Sequence, residues 1–109
     1  MTGGGRGCDR FAMVFEIVLL NAREGAAESL RDGLRVAQTV IALAPGYRGS
    51  AFHRGIEEPN AFLLRIEWDT LEAHEQFRQS PLRAEWRGHF WASVDGTPKV
   101  THYEVFAAH

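Results

Sequence analysis

A single cysteine, Cys8, occurs in the 109 residues, so no intrachain disulfide can form and a reduced, cytoplasmic setting is expected. Lysine is nearly missing as well: Lys99 stands alone, no Lys/Arg run occurs, and the formal charge is −2. That balance offers no electrostatic footprint for DNA or RNA, which excludes nucleic acid as an expected partner. Long apolar runs are absent. The best, Met13 to Leu20, is interrupted by Glu16 and falls well short of the ~18 residues a membrane span requires. Arg6 and Arg10 near the N-terminus are not followed by an apolar core with a small-residue cleavage site, so a signal peptide is not expected. The five histidines are scattered, no two of them three to five residues apart, which gives no metal-ligand spacing. No Gly-x-Ser-x-Gly elbow marks a serine hydrolase.

What is present describes one small domain. The chain is 45% hydrophobic and 24% charged, the balance of an ordinary globular protein. Residues 1–12 carry Gly3, Gly4, Gly5 and Gly7 without apolar periodicity and read as a flexible lead; the folded domain is expected over 13–109. Met13 to Leu20 is apolar at nearly every position, with β-branched Val14, Ile17 and Val18, and reads as a strand buried on both faces. Ala27, Leu30, Leu34, Ala37, Ile41 and Ala44 then recur in steps of three and four, opposite a polar side, which is an amphipathic helix ended by Pro45-Gly46.

Tyr47 to Arg54 reads as a second strand, and Glu57 to Asn60 as the turn into a third, Ala61 to Trp68. The third separates by parity: Phe62, Leu64, Ile66 and Trp68 point one way, Leu63, Arg65 and Glu67 the other. Asp69 and Glu72 have capping-box spacing for a helix with the inner stripe Leu71, His74 and Phe77/Arg78. Ser80-Pro81 starts a further helix carrying Leu82, Trp86 and Phe90. Asp95-Gly96 signals a turn within a loop from Val94 to Pro98, and Val100 to Phe106 reads as the last strand.

The order β-α-β-β-α-β predicts an α+β fold, a four-stranded antiparallel sheet with its helices on one face. The first strand has apolar residues on both sides, with Met13, Phe15, Ile17 and Leu19 on one and Val14, Val18 and Leu20 on the other. The face without helices would expose a large greasy patch, so a homodimer through that face is expected. Glu16, Arg65, Glu67 and Glu104 are placed on or near it, able to pair across the dimer.

Particular residues carry a family resemblance. Phe62-Leu63-Leu64-Arg65-Ile66-Glu67-Trp68, then Leu71-Glu72-Ala73-His74 and Phe77-Arg78-Gln79-Ser80-Pro81, together resemble the antibiotic biosynthesis monooxygenase (ABM) family. Pro45-Gly46-Tyr47 and the run from Pro98 to His102-Tyr103-Glu104 do so too. The resemblance implies a ferredoxin-like fold, a dimeric α+β barrel, and a ligand cavity between each sheet and its own helices. It also implies oxygenation of polycyclic phenols, anthrones or quinols with molecular oxygen and without metal, flavin or haem. A related branch degrades haem through a first-strand asparagine and a third-helix histidine; here Ile17 or Val18 and Arg87 stand at those places, Phe77 replaces a tryptophan, and Asn21 and His89 are out of step.

Cofactor-free oxygenation needs an apolar pocket that holds an aromatic small molecule, removes a proton from it and stabilises the anion. The catalytic candidates are His74, Arg78 and Tyr103. His74 either reaches the cavity or fixes its helix to the sheet; Arg78 either supports a substrate anion or makes a surface ion pair. Trp68, Phe77, Trp86, Phe62 and His102 are the candidate substrate-binding walls, with plain core packing the alternative for the tryptophans. His102 and Tyr103 point to opposite faces of the last strand, so at most one belongs to the cavity, and His53 is similarly two-sided. A non-catalytic homodimer that binds a small metabolite is the alternative function.

Overall fold

The structure, a computed structural model, describes residues 13–109; the lead expected over 1–12, Cys8 included, lies outside the described residues. Strand β1 (Val14–Ala22) leads to helix α1 (Ala27–Ile41), strands β2 (Tyr47–Arg54) and β3 (Ala61–Trp68), helices α2 (Leu71–Arg78) and α3 (Pro81–Gly88), a single 3-10 turn (Trp91–Ser93) and strand β4 (Val94–Tyr103). The strands form one antiparallel sheet in the order β2-β3-β1-β4. The α+β, ferredoxin-like architecture is as the element order implies, with α2 and α3 sharing the second crossover.

Helix α1 buries Leu30, Leu34, Ala37, Val40 and Ile41, the stripe its spacing requires. Gly46, at φ +86°, then supplies the left-handed turn that releases the chain into β2. These helix residues share a single core with Val18, Leu20, Phe62, Leu64, Ile66 and Trp68, so the helices cover one sheet face only. The register fixes the other face: Phe15 lies opposite Glu67 and Tyr103, Ile17 opposite Arg65 and Thr101, and Leu19 opposite Leu63 and Lys99. Leu19, 45% exposed, and Tyr103, 56% exposed, belong to this open face. His53 pairs with Leu63 and shares it. Among the described residues no helix is long and apolar enough to cross a membrane.

Four local expectations are corrected. Glu16 does not lie on the open face: it alternates with Phe15 and Ile17, sits beside Val18 and Leu20 in parity, and is buried under the helices at 4% exposure. Helix α2 is capped not by Asp69 but by Thr70, whose hydroxyl accepts from Ala73 N at 3.0 Å, while Asp69 pairs with Arg48. Leu71 is exposed, and α2 buries Ala73, His74 and Phe77 instead. The expected Val94–Pro98 loop is the first half of β4, which ends at Tyr103 rather than Phe106.

The last correction has a physical cause. Between Leu19 and Asn21 the partner positions on β4 jump from Lys99 to Asp95, so extra residues bulge out of β4. Gly96, at φ +74°, takes the left-handed conformation the bulge needs, and Pro98 is tolerated because β4 is an edge strand. An Asp-Gly pair and a proline carry the same signal in a bulge as in a loop.

Candidate functional site

A cavity of about 430 Å³ lies between the sheet and helices α2 and α3. That volume suits a small organic molecule. The helix-side face of β1 supplies Glu16, Val18 and Leu20; α2 contributes His74, Phe77 and Arg78. Helix α3 adds Arg83, Trp86 and Arg87, and the turn after it Phe90 and Trp91. The bulge in β4 pushes Thr97 and Pro98 into the wall, with Val100 and His102 beyond them.

The wall is aromatic. Trp68, fully buried, stacks on His74 at 5.5 Å between ring centroids and meets Phe77 at the same distance. Phe77 then packs edge-on to Trp86, and Trp86 edge-on to Phe90. Such contacts fix the rings beyond what area burial does.

A chain of polar contacts, two of them hydrogen bonds, runs along this wall. The carboxyl of Glu16 accepts from Trp68 Nε1–H at 2.9 Å through Oε1, and its Oε2 lies 3.2 Å from His74 Nε2. His74 Nδ1 lies 2.7 Å from His102 Nε2. An indole N–H only donates, so Trp68 fixes Oε1 as an acceptor and leaves Oε2 for His74. With the His74 proton on Nε2, towards the Glu16 carboxyl, its Nδ1 accepts from His102 Nε2–H, and the remaining lone pair of His102 is on Nδ1. Burial, and next the neighbouring His74, push the His102 pKa below the usual histidine range; Glu16 and Glu75 oppose the shift and Arg78 adds to it.

The arrangement brings together His74, Phe77, Arg78, Trp86 and His102 among the candidates. His74 is a buried histidine satisfied by side chains, a carboxylate and a second imidazole, rather than by a backbone carbonyl. Arg78 lines the cavity and also pairs with Glu75 at 3.0 Å. Trp68 stands behind the wall, supporting His74 and Glu16. Two candidates are placed elsewhere. Tyr103 is on the open face, because His102 takes the helix side and strand parity sends its neighbour away. Phe62 is buried at the other end of β3, beside a second and smaller depression under α1.

Glu16, Arg83, Trp91, Thr97 and Pro98 are site residues that sequence reasoning missed, and Arg87 was noted only as the occupant of a haem-ligand position. For Glu16 the signal was its parity with Val18 and Leu20. For Arg83 and Arg87 it was their spacing of four on a helix that also carries Trp86. Among the described residues no group of three or more His, Cys, Asp or Glu side chains is arranged to hold a metal ion, and His89 does not line the cavity.

Comparison with known proteins agrees with this fold. Residues 13–88 match the model of the antibiotic biosynthesis monooxygenase family. The chain is 33% identical over 93 residues to YczJ of Bacillus subtilis, covering 84% of this chain and 98% of that protein. A Bordetella bronchiseptica crystal structure that bears the family's name superposes with a TM-score of 0.84 at 30% identity, over 88% of this chain and 99% of that one. SnoaB from Streptomyces nogalater, a cofactor-independent oxygenase, shares the fold with a TM-score of 0.79 at 13% identity, over 89% and 96% of the two chains. With the family model spanning most of the chain and two relatives at or above 30% identity along nearly their full lengths, this protein belongs to the antibiotic biosynthesis monooxygenase family.

Proposed function

We propose that the protein oxidises an electron-rich aromatic small molecule, a polycyclic phenol, anthrone or hydroquinone, with molecular oxygen and without a bound cofactor. The observation that carries this reading is the Glu16–His74–His102 chain on the wall of an aromatic cavity. The shared fold with SnoaB, a cofactor-independent oxygenase, supports it.

In this reaction His102 Nδ1 removes the proton of the aromatic hydroxyl or its anthrone tautomer. His74 and Glu16 hold the ring and spread the positive charge that results. The aromatic anion passes one electron to oxygen, the radical pair combines at carbon, and a proton returned from His102 completes a hydroperoxide. Loss of water leaves a new carbonyl, so anthrone and oxygen give anthraquinone and water. A hydroquinone would instead give quinone and hydrogen peroxide. The apolar wall favours the anion's electron transfer by excluding bulk water.

The same reading includes a homodimer joined through the open sheet face, which carries Phe15, Ile17 and Leu19 with no helix over them. Oxygen-electrode traces with a panel of anthrones and hydroquinones test the activity. At least one compound should turn over above its uncatalysed background, and His102→Ala should lower that rate about 10²–10⁴-fold, the usual worth of a positioned base. A panel with no turnover removes the oxygenase reading.

A further inference from the structure

The cavity is cationic on one side, and the proton-removal chemistry does not account for it. Arg78, Arg83 and Arg87 all line it. Of these only Arg78 has a carboxylate partner among the described residues, the exposed Glu75. Arg83 and Arg87 are one helical turn apart on α3 and so share a face. Burial, and next the Arg83 charge, lower the Arg87 pKa.

The surroundings offer no internal remedy. Glu16 is the carboxylate that lines the cavity, and Trp68 and His74 already engage both of its oxygens. Arg87 is also held in orientation: its guanidinium carbon sits 3.7 Å from the Trp91 ring centroid, a stacked contact that keeps the planar fork in place. Between the two arginines in sequence, Trp86 has a buried indole N–H with no acceptor among the described residues. Two guanidiniums that line the cavity without a carboxylate partner among the described residues, one of them held by Trp91, make a site short of one anion with oxygen acceptors.

Resting on the reading that this cavity takes an oxidisable aromatic ring, we propose that the ring carries a carboxylate bound by Arg83 and Arg87. The preferred members of the substrate class are then hydroxyaryl carboxylic acids, ahead of neutral phenols or quinols. A guanidinium fork matches a carboxylate in two parallel hydrogen bonds, which orients the ring as well as holding it. Orientation is what a proton-removing imidazole at a fixed place on the wall requires.

Titration calorimetry of the full chain under nitrogen, with 6-hydroxy-2-naphthoate and with 2-naphthol, tests this apart from catalysis. The acid should bind about tenfold tighter or better, and the ratio should fall as salt is raised. In Arg83→Gln/Arg87→Gln the ratio should drop to about one, with Arg83→Lys/Arg87→Lys keeping part of it. Circular dichroism checks that the variants fold. Should the double variant fail to fold, Arg83→Gln alone should lower the ratio at least about threefold, since one of two charge-assisted contacts is lost. Equal affinities in the natural chain, a ratio unchanged in the glutamine variants, or no binding of either probe at millimolar concentration would overturn the proposal. A preference for the acid without oxygen uptake by any hydroxyaryl acid keeps the anion site and removes the oxygenase. Uptake with neutral hydroquinones and no preference for acids does the reverse.

Discussion

Glu16 is 4% exposed and meets two side chains from different elements, accepting a hydrogen bond from Trp68 on β3 and lying 3.2 Å from His74 Nε2 on α2. Leaving a buried polar group short of one of its partners costs about 1–3 kcal/mol. That magnitude decides which substitution is informative. His74→Ala would strip Glu16 of one of its two partners and damage the fold, whereas His102→Ala removes the outer imidazole and leaves the Glu16–His74 contact in place. The pH dependence follows from the same geometry. A base works only when unprotonated, and burial together with His74 lowers the His102 pKa. Activity should therefore rise with pH through a midpoint below the ordinary histidine value and be flat at neutrality. Glu16 is among the groups that raise that pKa, so Glu16→Gln should move the rising limb to still lower pH, measured as initial rates from pH 4 to 8. The sign for stability agrees: the folded chain binds fewer protons at His102 than the unfolded chain, so this contribution is present above the unfolded pKa and lost as pH falls through the window between the two values.

At the scale of elements, the β4 bulge is the feature that links fold to cavity. It places Thr97 and Pro98 in the wall and rests on Gly96 at φ +74°. Gly96→Ala should cost about 1–2 kcal/mol, the penalty of a left-handed conformation for a residue with a Cβ, read as a lower urea midpoint with an unchanged slope. Most elements were legible in the sequence because period and parity decided them: the α1 stripe, the alternation of Phe62, Leu64, Ile66 and Trp68, and the Pro45-Gly46 stop. The bulge was not legible, because Asp95-Gly96 and Pro98 break a local pattern that only the pairing of β4 with β1 restores. Thr70 was passed over for the same kind of reason. Asp69 has the better capping-box spacing, but it is drawn to Arg48 on β2, and no local pattern in the chain announces that ion pair.

At the scale of the whole molecule, the proposed homodimer would cover the open sheet face. Phe15, Ile17, Leu19, Leu63 and Tyr103 lie on it, and beyond β4 Phe106 is almost fully exposed. Light scattering should give twice the 12.2 kDa of one chain, and Leu19→Glu should shift the mass toward the single chain by placing a charge in the apolar centre of the contact. The overall architecture and the presence of a histidine in the cavity were readable from the order of elements. The composition of the site was less so. Its key carboxylate sits in a strand apolar on both sides, where parity alone does not say which face the helices will cover, and Tyr103 and His102 could be divided between faces but not assigned.

His102 is the penultimate residue of an edge strand that is paired on one side only, with β1. The imidazole proposed as the base is, in that position, only as steady as the last rungs beneath it. Brief fraying of the final residues of β4, far short of global unfolding, would swing the ring off His74 and switch the base out of register. Whatever stiffens that margin thereby tunes how often the molecule is ready to react.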